Sequence, residues 1–110
     1  MNKKLSIIFN KKNINQILKF FNAKKDIIIV IKPMKSCHGM LDEKEPLIYI
    51  NKDTGDINKI LTLVHELIHW KWDVNHDSLG WYCGYYSTKH DHLSETIASI
   101  IFGKKIVWED

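Results

Sequence analysis

Several features that would place the chain in a special class of protein are scarce. There are only 2 cysteines, Cys37 and Cys83, and they form no CxxC pair, which excludes a structural zinc knuckle and a redox motif. The longest purely aliphatic run, Ile27 to Ile31, is far shorter than the ~20 residues that span a bilayer. We therefore expect a soluble, cytoplasmic protein without membrane insertion, whose two thiols are reduced and at least partly buried.

A strong excess of charge of either sign is also missing. The 16 lysine and arginine residues stand against 13 aspartate and glutamate residues, which gives a formal net charge of +3. This surplus is small and scattered, and no basic stripe interleaves with the aromatic residues, so we expect no nucleic-acid partner. With 45% apolar and 26% charged residues, the composition is that of a globular protein and excludes a fibre.

The 110 residues suffice for one domain with a modest core, and we predict a single domain over residues 1–110. Apolar residues at helical spacing predict three helices, over about 13–22, 57–72 and 91–102. Between the first two helices, β-branched and apolar runs predict strands over 27–31 and 47–51, with an ambiguous third over 36–41. This order of elements predicts an α+β fold class.

The segment His65-Glu66-Leu67-Ile68-His69 carries the clearest chemical signal. Residues four apart lie one above the other on a helix, so both imidazoles leave the same face and can bind one metal ion. Glu66 lies about a third of a turn from His65, so it misses the metal and reaches a water molecule on it, where it can act as general base and acid. The alternative is three solvated surface residues, but the motif falls late in a strongly amphipathic helix.

A catalytic zinc ion needs a third protein ligand and an open fourth position. We assign the third ligand to Glu95, because the intervening segment is long enough for a loop and a return helix. Ala98, one turn beyond it, would let the two helices approach closely. His90, Asp91 and His92, a cluster just upstream, are the alternative ligands.

The motif His65 to His69, followed by Glu95-Thr96-Ile97-Ala98, resembles the gluzincin clan of zinc metallopeptidases. In so short a chain it is similar to the minigluzincins, which are themselves similar to the catalytic domains of CAAX-prenyl and HtpX-type membrane proteases. The resemblance covers about residues 47–102. It implies a zincin-like minimal core: a small, mainly antiparallel three-stranded sheet, an N-terminal helix, an active-site helix and a glutamate helix.

The resemblance also implies roles for individual residues. His65, His69 and Glu95 would bind Zn2+, and Glu66 would be the catalytic residue acting on a peptide or protein substrate. Ser99 departs from the pattern, because the related membrane enzymes usually carry an aspartate there that supports a ligating histidine. Either another acid such as Asp91 substitutes for it, or the metal site is weaker.

Residues 104–110 form a candidate self-inhibitory tail. The residues after Gly103 can span up to ~23–25 Å, enough to turn back along the last helix and reach the metal. Trp108 would anchor the tail, and Glu109 or Asp110 would offer a carboxylate to the metal. The minigluzincins are similar in being self-inhibited zymogens. The alternatives are a frayed terminus or a Trp108 that only closes the core.

Two further assignments stay open at this point. His76, Tyr85, Tyr86 and His90 are candidate donors to the oxyanion of the reaction, and none is favoured over the others. Leu47–Asn51 is expected at an edge of the sheet, where it would either pair with an extended substrate or form a plain, shielded edge. The leading hypothesis is thus a zinc-dependent endopeptidase, possessing a latent form. The alternative is a catalytically inactive zinc-bearing binding or regulatory module.

Overall fold

The computed structural model describes residues 7–23, 27–35, 38–42, 47–72 and 89–109, with the backbone alone for residues 89 and 90. Within these ranges the chain forms three helices and three strands, and the predicted α+β fold class is confirmed. In chain order they are α1 (Lys11–Phe20), β1 (Ile28–Lys32), β2 (Gly39–Asp42), β3 (Leu47–Asn51), α2 (Asp56–Trp72) and α3 (Lys89–Phe102). None of the helices in the described part of the chain is long and apolar enough to cross a membrane.

The three strands form a mixed sheet in the order β1-β3-β2. Strand β3 pairs in parallel with β1 and antiparallel with β2, so the expected antiparallel pairing is present on one side of β3 only. The prediction that Leu47–Asn51 lies at an edge is wrong, because its main chain is paired on both sides. Ile48 and Ile50 are fully buried, and a strand with such residues is stabilised most at the centre of the sheet.

Helix α2 lies at the centre of the hydrophobic core. It packs against β2, β3 and α3, and less extensively against α1. Its most buried apolar residues recur at helical spacing and are at most 2% exposed: Ile60, Leu61, Leu63, Val64, Leu67 and Ile68. Burial of this broad face fixes the rotation of α2 about its axis, and hence the direction in which its polar residues project.

Strand β2 approaches α2 most closely at Gly39. A Cβ atom at this position would lie 2.5 Å from Cγ2 of Thr62 and 2.6 Å from the carbonyl oxygen of Tyr49. Only a glycine fits this space. The contact brings the beginning of β2, and His38 just before it, against the turn of α2 that precedes His65.

The chain reverses direction after α3. Gly103 has a φ of 70°, which glycine adopts at little cost, and its N–H donates to the carbonyl of Ser99 at 2.9 Å, as in a typical helix C-terminus. Residues 104–109 then run back beside α3. Ile106, only 2% exposed, inserts into the core, so this part of the tail is packed and is not a frayed terminus.

Candidate metal centre

The two histidines of the motif lie one turn apart on α2, with their imidazoles facing each other. Their Nε2 atoms are 3.2 Å apart. Two nitrogen ligands that are each about 2.05 Å from a tetrahedral zinc ion lie about 3.3 Å from each other. The structure therefore brings His65 and His69 together at the separation that one zinc ion requires.

Asp91, at the beginning of α3, contacts the opposite nitrogen of His65. Its Oδ1 lies 3.0 Å from Nδ1 of His65, and the aspartate is 6% exposed. A proton on Nδ1 directed at this carboxylate leaves the lone pair of the neutral ring on Nε2, the nitrogen that faces His69. Asp91 is thus placed to orient a ligand, which is the role that the sequence left open when Ser99 replaced the usual aspartate.

The surroundings of His65 change its proton affinity. Burial by itself would lower the pKa of His65, but the hydrogen bond to Asp91 and the negative charges of Glu66 and Asp91 outweigh it and raise the pKa above its ordinary value. The same negative charges would favour a bound cation, because a metal ion and a proton compete for the imidazole nitrogen.

Glu66 follows His65 on α2 and is 8% exposed. A carboxylate this deeply buried is costly unless it interacts with a cation or with hydrogen-bond donors. The structure places Glu66 beside His65 in a buried setting, and its role as a proton acceptor stays a prediction.

Glu95, the predicted third ligand, lies one turn after Asp91 on α3 and is half-buried. Its Oε2 accepts a hydrogen bond of 3.0 Å from the main-chain N–H of Trp108 in the tail. Within the described ranges, no group of three or more histidine, cysteine, aspartate or glutamate residues is arranged around one point as a metal site requires. The structure thus brings the two histidines together, and it pairs Glu95 with the tail.

The alternative third ligands have different positions. The side chain of His92 is 83% exposed, and its Nδ1 lies 3.8 Å from Oε1 of Glu95. Asp91 contacts the Nδ1 side of His65. The side chain of His90 lies outside the described residues, as do Cys37, Cys83, Asp110 and the oxyanion candidates His76, Tyr85 and Tyr86.

His38 is a site residue that the sequence analysis missed. Its ring lies 5.8 Å from the indole of Trp108, centroid to centroid. Burial lowers the pKa of His38, the charge of Asp91 opposes this effect, and the neighbouring His65 adds to it. These interactions place His38 beside His65 and Asp91, although it is far from the motif in sequence and no spacing pattern pointed to it.

Asn51, at the end of β3, determines the position of His38. Its main-chain N–H donates to the carbonyl of His38 at 2.8 Å. Its side-chain amide accepts from the N–H of Met34 at 3.2 Å and donates to the carbonyl of Met34 at 3.0 Å. The same residue therefore binds the segment before β2 at two points, which orders the approach of His38 to His65.

The tail binds across α2 and α3 through side chains that contact its main chain. The N–H of Ile106 donates to Oγ of Ser99 at 2.8 Å. Asn58, near the beginning of α2, binds both main-chain groups of Glu109 at 2.8 Å each. Asn58 lies seven residues before His65, about 10 Å along the helix axis. Glu109 is therefore held near the beginning of α2 and away from the histidine pair.

Solved structures include one that is similar to almost the whole chain. It is the crystal structure of the metallopeptidase zymogen of Methanocaldococcus jannaschii jannalysin, which is 26% identical, with a TM-score of 0.53 over 94% of this chain and 96% of that chain. No protein-family model matches the chain, and no curated protein matches it significantly. The similarity to a metallopeptidase zymogen supports a peptidase that uses a metal cofactor.

Proposed function

We propose that the chain is a zinc-dependent endopeptidase of the gluzincin type, in which residues 1–110 form one minimal catalytic domain. The observation that carries the proposal is the pair of imidazoles whose Nε2 atoms lie 3.2 Å apart, with the Asp91 carboxylate 3.0 Å behind His65. An orienting carboxylate behind a histidine is typical of metal sites. The similarity to a metallopeptidase zymogen over almost the whole chain supports the same function.

In this proposal His65, His69 and Glu95 are the protein ligands of Zn2+. When bound, zinc supplies Lewis-acid chemistry, which polarises the scissile carbonyl and acidifies water. Glu95 has one oxygen hydrogen-bonded to the tail in the structure, so release of the tail would make that oxygen available. His90, whose side chain is not described, is the other candidate for the third position.

Glu66 is proposed to carry the proton transfers of the reaction. As a buried carboxylate next to His65, it accepts a proton from the attacking water and then donates it to the departing amine. Asp91 keeps the imidazole of His65 in one tautomer and one orientation throughout, because its carboxylate contacts Nδ1.

The tail is proposed to keep the peptidase latent. From the sequence we expected a carboxylate of Glu109 or Asp110 on the metal, whereas Glu109 lies near the beginning of α2 and Asp110 lies outside the described residues. We propose instead that the tail acts through Trp108. Its main-chain N–H donates a hydrogen bond to the Glu95 carboxylate, and its indole lies against His38. Its own C-terminal residues would thus be the inhibitory partner, and a peptide or protein the substrate.

The proposal is tested with three full-length proteins that carry Trp108→Ala to weaken the tail. The first has no other change, the second adds Glu66→Gln, and the third adds His69→Ala. We expect the first to bind one zinc ion and to cleave an unfolded protein substrate, with activity lost to a strong chelator and restored by zinc. The Glu66→Gln protein should keep its zinc and lose at least 100-fold in kcat.

The controls separate the peptidase from a zinc-bearing binding module. The His69→Ala protein should lose both zinc and activity, because two ligands hold the metal weakly. If the Trp108→Ala protein binds zinc and is as inert as its Glu66→Gln derivative, the peptidase proposal is wrong and the binding module is correct. Activity that survives complete removal of metal would exclude the metal assignment.

A further inference from the structure

We infer that the groove occupied by the tail is a substrate-binding site that selects extended peptides with an aliphatic residue, one unrestricted residue and a tryptophan, in that order. The groove is defined by Asn58, Glu95 and Ser99, which bind main chain, and by Asp91 and His38, which surround the indole of Trp108. That such a peptide is cleaved rests on the proposed function, whereas its binding in the groove does not.

The polar contacts of the groove recognise a main chain and not particular side chains. Ser99 binds the N–H of residue 106, Glu95 binds the N–H of residue 108, and Asn58 binds both the N–H and the carbonyl of residue 109. Every extended peptide offers these groups at the same spacing. The paired contact of Asn58 imitates a neighbouring strand, with the donor and the acceptor of one amide side chain in place of a peptide unit.

Two side chains of the tail face the groove, and the residues between and after them face outward. Ile106 is 2% exposed and Trp108 is half-buried, whereas Val107 is 43% exposed and Glu109 is exposed. This alternation is typical of an extended segment with one face bound. Residues 106 and 108 therefore determine which sequences fit, and residue 107 does not.

The pocket for the second anchor has a feature that favours tryptophan over other aromatic residues. The indole N–H of Trp108 donates to the main-chain carbonyl of Asp91 at 3.2 Å, and the ring of His38 packs against the indole. Phenylalanine would fill a similar space without the hydrogen bond. Loss of a hydrogen bond weakens binding, so the pocket discriminates between the two.

The position of this pocket connects it to the proposed chemistry. Asp91 contacts Nδ1 of His65 with its side chain and the indole of Trp108 with its main chain. A peptide that takes the place of the tail therefore has its tryptophan one residue away from a proposed metal ligand. In the metal-loaded protein Glu95 would bind the metal, so a substrate in the groove would keep the contacts of Ser99, Asn58 and Asp91 and lose that of Glu95.

The first experiment measures binding without any need for zinc or activity. A fluorescently labelled peptide with the sequence of residues 104–110, KKIVWED, is titrated into full-length Trp108→Ala protein in the presence of a chelator, and anisotropy gives Kd. Matched peptides replace the isoleucine, the valine or the tryptophan by alanine, or the tryptophan by phenylalanine. We expect the alanine changes at isoleucine and tryptophan to weaken binding at least 10-fold, and phenylalanine to weaken it by about 2- to 10-fold.

The valine peptide is the control, because Val107 is exposed, and its Kd should stay within about 2-fold of the parent. Equal Kd values for the tryptophan and valine variants would overturn the inference. In a second measurement, excess parent peptide added to wild-type protein should shift the indole N–H resonance of Trp108 to that of an exposed tail. If this resonance does not move while the parent peptide stays in solution, the groove does not accept a peptide from outside.

A cleavage assay distinguishes failure of the inference from failure of the proposed function. Substrates that carry Ile-Val-Trp should have a higher kcat/KM than those with Ile-Val-Ala, and the same kcat/KM as those with Ile-Ala-Trp. Selective binding together with cleavage that ignores the tryptophan would show that the groove is not the substrate site, which overturns the inference while the peptidase stands. Selective binding by a protein that has no activity in any form would reject the peptidase and leave the peptide site.

Discussion

Replacement of Asp91 by asparagine tests the proposed metal centre with little change in shape. The carboxylate is 6% exposed and lies 3.0 Å from Nδ1 of His65. An asparagine at this position keeps an oxygen that can accept the same hydrogen bond, but it removes the negative charge. Hydrogen bonds to a charged acceptor are roughly twice as strong as neutral ones, so the bond that orients His65 becomes weaker.

The size of the effect follows from what the bond does for the metal. Loss of a partner that orients a ligand typically lowers metal affinity by about 10- to 100-fold, or about 1.4–2.8 kcal/mol. The upper part of this range is expected here, because Asp91 is buried and water cannot replace its charge. The zinc Kd of Asp91→Asn should therefore rise by about 30- to 100-fold.

The assay is a competition with a chromophoric zinc chelator at fixed pH, with circular dichroism to verify that the variant is folded. His92→Ala is the matched control on the same helix, because the side chain of His92 is 83% exposed, and its zinc Kd should not change. An Asp91→Asn protein that is folded and binds zinc within 3-fold of wild type would refute the role of Asp91. A loss of equal size in His92→Ala would refute the choice of residue.

Three further predictions follow from the same contacts. Gly39→Ala should lower Tm by about 5–20 °C in thermal scans, because a Cβ there would lie 2.5 Å from a side-chain carbon. Gly55→Ala is the control: the nearest atom to its Cβ is 3.8 Å away, so Tm should change by less than about 3 °C. In metal-free protein, the raised pKa of His65 contributes stability that is fully present below its ordinary pKa of 6.5 and is lost as pH rises through the raised value. Urea titrations of the wild type should therefore show the free energy of unfolding falling over that pH range. In Asp91→Asn the fall should be smaller. Glu95→Ala should lower zinc affinity more than 10-fold by chelator competition, and an unchanged Kd would leave His90 as the third ligand.

The helices could be predicted from the sequence because their signal is local. The spacing of Ile17, Leu61 and Ile97 with their neighbours predicted α1, α2 and α3 to within a few residues, and each of these three residues is buried. The end of α3 at Gly103 has an equally local cause, since a glycine is favoured where φ becomes positive. The pair His65 and His69 was predictable for the same reason, because a separation of four residues has one meaning on a helix.

The order of the strands could not be predicted in this way. We expected β3 at an edge, but it lies at the centre, because strand order is decided by pairing between distant parts of the chain and leaves no local pattern. The contacts made by Asn51 and Asn58 were invisible for a related reason. An amide that binds a main chain far away in sequence leaves no periodic pattern and requires no particular residue as its partner.

Helix α3 connects the tail to the proposed metal centre, because Asp91 and Glu95 lie one turn apart on it and each contacts Trp108. A bound metal that uses Glu95 would compete with the N–H of Trp108 for the same carboxylate. Two binding events that compete for one group are coupled, and the factor by which the tail weakens metal binding must equal the factor by which the metal weakens tail binding. The zinc Kd of wild type should therefore exceed that of Trp108→Ala. The same ratio should relate the exposure of the Trp108 indole N–H in the metal-free and zinc-loaded proteins, so that the metal itself would favour release of the tail.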